Sequence, residues 1–483
     1  MKVELVDDSK ELRKAASEKF FEAGACIFLD IQYEYMFLSY FEGKEVKSIA
    51  TKLMDKSSNI SISEIGKLIS TITLIFKSNP VLISYDIKNT IKNYLKLCKA
   101  CCHDSIEHLN PLHTFFNNNF VLDTKIFKGV YDSPIHEYEQ ISNYCDFETY
   151  VKSRAEILKK IIMSSSNISL YRTTFNEKSS YYINLNAINA ILSMEDKTIE
   201  FLDTNNEVIK TIEPYFNLNG TYTGRTTSNT HAIPKDKRGT IKLDKDNKLY
   251  CFDYEAGEVR VLAILSGDKK LIKIFEDDKD IYEEYMTLFG EDAIDRKTAK
   301  LTFLSIMNGV TIKGLEKTFK MSNEVAKEAI KNAKKLAPKA FQFLDYIREE
   351  AVNEKAGNGQ VFINEIFKRQ FNASNRQFKN DWERKTAIVS FYLQSTLSDI
   401  KLIAISKIKK ILDTFNENYR GQKHAYLRFE IHDAVYIEIP TDNLGEVILN
   451  KLMKEITQAM EIAPVELMGE EKCKLKINIT KVG

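Results

Sequence analysis

Two apolar runs, far apart in the chain, each carry an acidic residue where a strand ordinarily has none. The first, KLYCFDYEAGEVRVLAILSGD, ends its apolar stretch on Asp253. The second, AYLRFEIHDAVYIEIP, sets His432 and Asp433 between two apolar stretches. Both read as strands, around 248–256 and 426–440. Asp is a poor strand residue, and a buried carboxylate must be paired or bound to a metal. Taken singly, each Asp is better explained as a strand end or half of a salt bridge. Brought together, carboxylates from two strands can hold two Mg²⁺ ions about 3.5–4 Å apart, with Mn²⁺ an alternative. Such a pair clamps the attacking and leaving oxygens of a phosphoryl transfer.

The rest of the chain limits what surrounds these strands. Its 483 residues exceed one compact core and imply two or three domains. Residues 22–48, around ACIFLDIQYEYMFLSYFEG, read as two strands joined by a turn. A helical pattern follows at ISEIGKLISTITLIF, then a strand at VLISY, so the first ~150 residues suit a small α/β domain. Residues 151–200 read as helix, turn and helix, with NEKSSYYINLN as the turn. Residues 268–415 are mostly helical in pattern.

Hydrophobic residues at 43% and charged residues at 28% are ordinary for a globular chain. No run of 18 uncharged apolar residues occurs, so no membrane span or membrane partner is expected. The opening MKVELVDDSKELRK is no secretory leader. Seven cysteines without a CxxC pair fit neither a zinc site nor a disulfide framework, and imply reduced thiols in a cytoplasmic setting. The net charge of +1 does not exclude nucleic acid, because phosphate contacts need only a local basic surface.

Two further segments bear on chemistry. GEDAIDRKTAKLTFLSIMNG places Arg296 and Lys300 four residues apart, on one helix face. They suit a triphosphate, Arg by its fork and Lys as a point charge, although a solvated basic face has the same pattern. TYTGRTTSNTHAIP is a Gly-Arg turn rich in hydroxyls that suits sugar and phosphate contacts, or is a generic loop.

In this order the segments resemble the family A DNA polymerases, strongly over about residues 213–483 and weakly over the N-terminal third. The matching residues are Thr223-Gly224-Arg225, then Asp253-Tyr254 with Glu258 and Leu265-Ser266-Gly267-Asp268. Arg296 with Lys300 follows, then Gln394 with Thr396 and Asp399, and His432-Asp433 last. The resemblance implies an α+β fold: a right-hand polymerase with an antiparallel palm sheet, helical fingers and a reduced thumb. A ribonuclease H-like α/β domain of exonuclease type would precede it. The implied limits are 1–148 for that domain, 149–212 thumb, 213–267 palm, 268–382 fingers and 383–483 palm again.

The resemblance also implies residue roles. Asp253, Asp433 and the backbone carbonyl of Tyr254 would hold the metals. Glu258 would be the steric gate against a 2′-OH. Arg296 and Lys300 would contact the incoming dNTP, and Lys300 could protonate the leaving pyrophosphate. Tyr282 stands where a phosphate-contacting His is usual. Arg225 and Gln394 would touch the primer-template minor groove, whose acceptors are common to every correct pair. His432 would support the primer terminus. Arg172 and Lys178 would contact the DNA backbone from a short thumb, which implies low processivity or a processivity or replisome partner.

Departures are equally specific. Leu304 replaces an aromatic that stacks on the base, Asn308 replaces a Tyr, and Ala434 replaces a Glu. Leu304 and Ala434 resemble the single-subunit RNA polymerases, which stand as one alternative; a non-catalytic primer-template-binding subunit is another. In the N-terminal third, FLDIQYE has Gln32 where an exonuclease has its second acid, and Thr90 falls where a third is expected. Two-metal hydrolysis needs several converging carboxylates. No proofreading is therefore expected, with Asp30, Asp86 and Asp123 in structural roles.

Overall fold

A computed structural model describes residues 26–32, 35–42, 45–52, 81–84, 86–101, 120–131, 179–289, 294–352, 361–419, 424–441, 445–462 and 475–482. The chain divides into two compact units, Met1–Glu177 and Lys178–Gly483.

In the first unit, β1 (Cys26–Gln32), β2 (Tyr35–Glu42) and β3 (Glu45–Lys52) form an antiparallel meander. Then come β4 (Val81–Ser84), α1 (Ile87–Cys101), β5 (Phe120–Asp123) and α2 (Thr124–Tyr131). β4 joins β1 in parallel and β5 joins β4 in parallel, giving the order β3-β2-β1-β4-β5. The expected strand pair and the VLISY strand are present. The helix expected at ISEIGKLISTITLIF lies outside the described residues, as do Arg172 and Lys178. Asp30 lies in β1.

Asp123 is fully buried and accepts the Ile87 and Ile126 amides, each at 2.7 Å, so one carboxylate serves two helix starts. Asp86 accepts the Asn89 amide at 3.1 Å and the Lys125 ammonium at 2.8 Å. Burial, then the charge of Asp86, raises the Asp123 pKa to about 7. Both acids are engaged in capping and pairing.

The second unit opens with α3 (Ser180–Glu195), capped by the Ser179 hydroxyl. This corrects the turn expected at NEKSSYYINLN. Ser, Asn and Tyr are weak helix formers, but here Ser180, Tyr181 and Asn184 are buried and bonded. Tertiary contacts therefore override propensity. Short hairpins follow: β6 (Ile199–Leu202) with β7 (Val208–Ile212), and β8 (Phe216–Asn217) with β9 (Thr227–Ser228).

Next come β10 (Asn247–Tyr254), α4 (Gly257–Ser266), α5 (Lys269–Glu276), α6 (Ile281–Met286), α7 (Arg296–Met307), α8 (Ile312–Phe319), α9 (Asn323–Leu336) and α10 (Pro338–Glu350). A hairpin of β11 (Val361–Asn364) and β12 (Arg369–Asn372) interrupts the expected helical block. The chain ends with α11 (Asp381–Asn418), β13 (Tyr426–Ile431), β14 (Ala434–Pro440), α12 (Glu446–Glu461) and β15 (Ile477–Val482).

The central sheet is antiparallel in the order β13-β14-β10-β15. Phe252, Phe429, Val435, Ile437 and Ile439 are fully buried in it. α11 has 38 residues, about 57 Å of helix. Among the described residues it is the one helix long and apolar enough to cross a bilayer, yet 83% of its apolar window is buried inside the protein. It is the central strut of the unit.

Among the described residues, three ion pairs cross the core of this unit with both partners almost wholly enclosed, and two of them tie its strands and hairpin together. Arg369 on β12 donates to Asp399 on α11 at 2.8 Å, both side chains at 0% exposure. Asp399 also accepts Ser180 Oγ at 2.5 Å, and Arg369 reaches Asn219 Oδ1 at 2.7 Å. Arg428 on β13 pairs with Glu438 on β14, which also accepts the Asn247 amide group at 2.9 Å. Removing one member of such a pair strands a buried charge, at a cost of about 3–5 kcal/mol. Asp399→Ala is expected to lower stability on that scale in denaturant unfolding. Arg369→Met with Asp399→Leu should restore most of it.

Candidate active site

The antiparallel register sets the site. Asp253, at the end of β10, lies opposite Ala434, the residue after Asp433. β13 and β14 turn through only His432 and Asp433, because Ile431 pairs directly with Ala434. Two acids far apart in sequence therefore stand side by side at one end of the two inner strands. Burial pushes the Asp253 carboxyl above its usual range, and the charge of Asp433 pushes it further, against the pull of Lys300, Lys235 and Arg238. Tyr254 faces the other way and donates its hydroxyl to the Met460 carbonyl at 3.1 Å.

Glu258 reaches the same place through a sharp turn. Ala256 takes a left-handed conformation (φ 51°) between β10 and α4, which costs an L-residue about 1–2 kcal/mol. Gly257 follows, and a Cβ there would lie 3.0 Å from Leu397 on α11. The turn thus sets the first residues of α4 against α11 and aims Glu258 back at the aspartates.

Arg225 donates to Glu258 at 3.0 Å and stands 3.8 Å from Asp433. Burial raises the Glu258 pKa, and hydrogen bonds from Arg225 and Gln394 oppose the shift. The loop carrying Arg225 is pinned. Gly224 has φ 76° and lies so close to Arg369 that a Cβ would fall 2.5 Å from the guanidinium carbon. Its carbonyl accepts the Ser398 hydroxyl at 2.8 Å.

The helix α7 presents the basic face expected of it. Arg296 and Lys300 are exposed, with Leu304 half-buried one turn on. Arg296 is paired with Asp280, the cap of α6, through Nε at 3.0 Å and a second nitrogen. Tyr282 is 3% exposed, with its ring 5.7 Å from the Arg296 guanidinium and 5.8 Å from Lys300 Nζ. It lies beneath the two cations as a π-face.

Several contributors carried no sequence signal. Arg348 binds the Ile306 and Met307 carbonyls at the end of α7, where Trp382 and Thr386 bind the Gly309 and Asn308 carbonyls. Thr396 and Asp399, which the motif with Gln394 did single out, are buried, Thr396 against Asn364 at 2.7 Å and Asp399 against Arg369. The ring of His231, from the loop after Arg225, lies 5.3 Å from that of His432, tilted against it. The basic residues Lys235 and Arg238 act on Asp253 from a short 3₁₀ turn, Lys235–Thr240. Each of these depends on a partner distant in sequence.

The arrangement can hold divalent cations. Among the described residues no group of three or more His, Cys, Asp or Glu residues converges. Two mutually repelling carboxylates nevertheless fit Mg²⁺, which commonly takes one or two protein carboxylates and completes its shell with water and phosphate oxygens.

The family model for DNA polymerase family A matches residues 138–481, well over half of the chain. The chain belongs to DNA polymerase family A. DNA polymerase I of Streptococcus pneumoniae is 29% identical over 239 residues, covering 47% of this chain and 25% of that protein. The DNA polymerase of Mycobacterium phage D29 is 27% identical over 243 residues, covering 48% of this chain and 35% of that protein. The matched region thus spans only a quarter to a third of these relatives. Among solved structures, the POL domain of Pol1 from M. smegmatis, in complex with DNA primer-template and dNTP, superposes with TM-score 0.59 at 12% identity. That match covers 100% of this chain and 99% of that one, a likeness of fold.

His231 supplies a pH test of this family A site. Burial, then the nearby Lys401, His432 and Arg225, lowers its pKa from 6.5 to about 4. The unfolded chain takes up a proton near 6.5 while the folded chain does so only near 4. Stability should therefore fall as the pH drops through that window. Urea midpoints measured from neutral to mildly acidic pH should decline less steeply for His231→Gln than for the wild type.

Proposed function

We propose that this chain is a template-directed DNA polymerase that adds dNTPs to a primer 3′-OH without proofreading. The observation that carries the proposal is the adjacency of Asp253 and Asp433 across β10 and β14 in a family A chain. When bound, two Mg²⁺ ions would activate the 3′-OH and offset charge on the leaving pyrophosphate. Asp253, Asp433 and the Tyr254 carbonyl would hold them.

Lys300, whose charge already acts on Asp253, would neutralise the triphosphate and protonate the leaving group. Arg296 would exchange Asp280 for phosphate oxygens as α7 closes over the nucleotide. Tyr282 would support both cations from below rather than touch phosphate. Leu304 would offer the base an aliphatic surface. Glu258, held by Arg225 and Gln394, would fill the space a 2′-OH needs. Arg225 and Gln394 would also meet the minor groove, and His432 the primer end. Processivity on this reading would come from a partner.

Domain roles follow the same reading: palm at 213–267 and 383–483, fingers at 268–382, thumb at 149–212. The strand order β3-β2-β1-β4-β5 supports a ribonuclease H-like first domain. The capping roles of Asp86 and Asp123 support the absence of exonuclease chemistry.

Extension of a labelled primer on a DNA template tests the reading. Asp433→Ala should lose about 10²- to 10³-fold in rate, the scale of a lost pre-organised electrostatic contact. Failure of clean, folded wild type to extend any primer would reject it. Glu258→Ala should raise ribonucleotide incorporation relative to deoxynucleotide by about 10- to 200-fold, the range of a single steric discrimination. Unchanged selectivity would remove Glu258 from the gate.

A further inference from the structure

The metal-binding turn is held in a conformation that its own sequence disfavours. His432 has φ 54°, and a non-glycine residue in that region costs about 1–2 kcal/mol. Asp433 is the next residue, so relaxation at His432 would swing its carboxylate away from Asp253. Something must therefore hold the turn.

The holder is on α11. Lys401 Nζ donates to the His432 carbonyl at 2.8 Å. The same ammonium lies 2.6 Å from the Glu430 carboxylate, with the two side chains only 2% and 0% exposed. Among the described residues the Glu430 oxygens accept no hydrogen bond of good geometry, so the Lys401 charge is what makes this carboxylate tolerable inside the protein. Glu430 is in turn fixed in β13, and its carbonyl accepts the Thr230 hydroxyl at 3.0 Å. Glu430 thus holds the Lys401 ammonium in place, and Lys401 anchors the strained carbonyl.

We propose that Lys401 and Glu430 are positioning residues for the metal site: a buried ion pair that holds the His432–Asp433 turn in its left-handed form, so that Asp433 faces Asp253. The inference rests on the polymerase reading for its activity readout, and on the Asp253–Asp433 pair alone for its metal readout. A purely structural pair would contribute to stability and leave metal affinity unchanged. A positioning pair acts on the site even when stability is preserved.

The test separates these. Lys401→Met alone strands a buried carboxylate and is expected to unfold easily. The informative variant is Lys401→Met with Glu430→Leu, which removes both charges and fills the space. It is expected to unfold cooperatively near the wild-type midpoint. Its Mn²⁺ affinity, read by electron paramagnetic resonance on the DNA-free protein, should fall by about 10- to 100-fold, the scale on which partners behind metal ligands act. Turnover in primer extension should fall similarly, with the KM for primer-template at the wild-type value. Wild-type Mn²⁺ affinity and turnover in the double variant would overturn the proposal. Weakened Mn²⁺ binding in the double variant, with no primer extension even by wild type, would support the positioning role and reject the polymerase reading instead.

Discussion

Asp399 and Lys401 lie two residues apart on α11, both buried and each neutralised by a partner from another segment, Arg369 on β12 and Glu430 on β13. A buried charge tolerates little displacement, because losing its partner costs several kcal/mol. One short stretch of one helix therefore fixes two parts of the site at once. Through Arg369 it sets the backbone at Gly224, and so the approach of Arg225. Through Lys401 it sets the His432 carbonyl, and so Asp433. Gln394, less than two turns earlier on the same helix, bonds Glu258. The helix acts as a ruler against which the Arg225 loop, Glu258 and Asp433 are registered.

This arrangement accounts for the length and burial of α11. A helix ending near residue 400 would carry Gln394 and Asp399, but would not be anchored against α12 and the far side of the sheet. Its continuation buries Ile405, Ile408, Leu412 and Phe415. That packing provides the rigidity that the polar stretch depends on, since side chains can be held to within a fraction of an ångström only on a well-packed element.

The aspartates were legible in the sequence because their signal is local: an acid at the edge of an apolar strand run is rare and has few explanations. The basic face of α7 was legible by helical spacing, and β10, β13 and β14 as short apolar runs. What could not be read shares one physical cause. Ser180 and Asn184 look like turn residues until Asp399 and the helix backbone supply their partners. Arg369 looks like a surface cation in KRQF until Asp399 and Asn219 enclose it. Tyr282 fits a phosphate-contacting position by order along the chain, but its burial under Arg296 and Lys300 depends on how α6 and α7 pack. Pairing between distant segments leaves no periodicity behind, so sequence pattern identifies the acids and not their supports.

The electrostatics of the site point the same way. Asp253 and Glu258 both have raised proton affinities, each in part because of Asp433. A constellation of like charges brought together by a left-handed Ala256 and a left-handed His432 does not lower the free energy of the fold. It persists because the surroundings over-determine it. The opposing cations differ in kind. Arg225 bridges Glu258 and Asp433 from within the site, whereas Lys300, Lys235 and Arg238 act on Asp253 through the field alone. The carboxylates are thus only partly compensated by the surrounding cations. Complete ion pairing is found instead at Asp399, whose partner Arg369 sets the loop geometry beside the site.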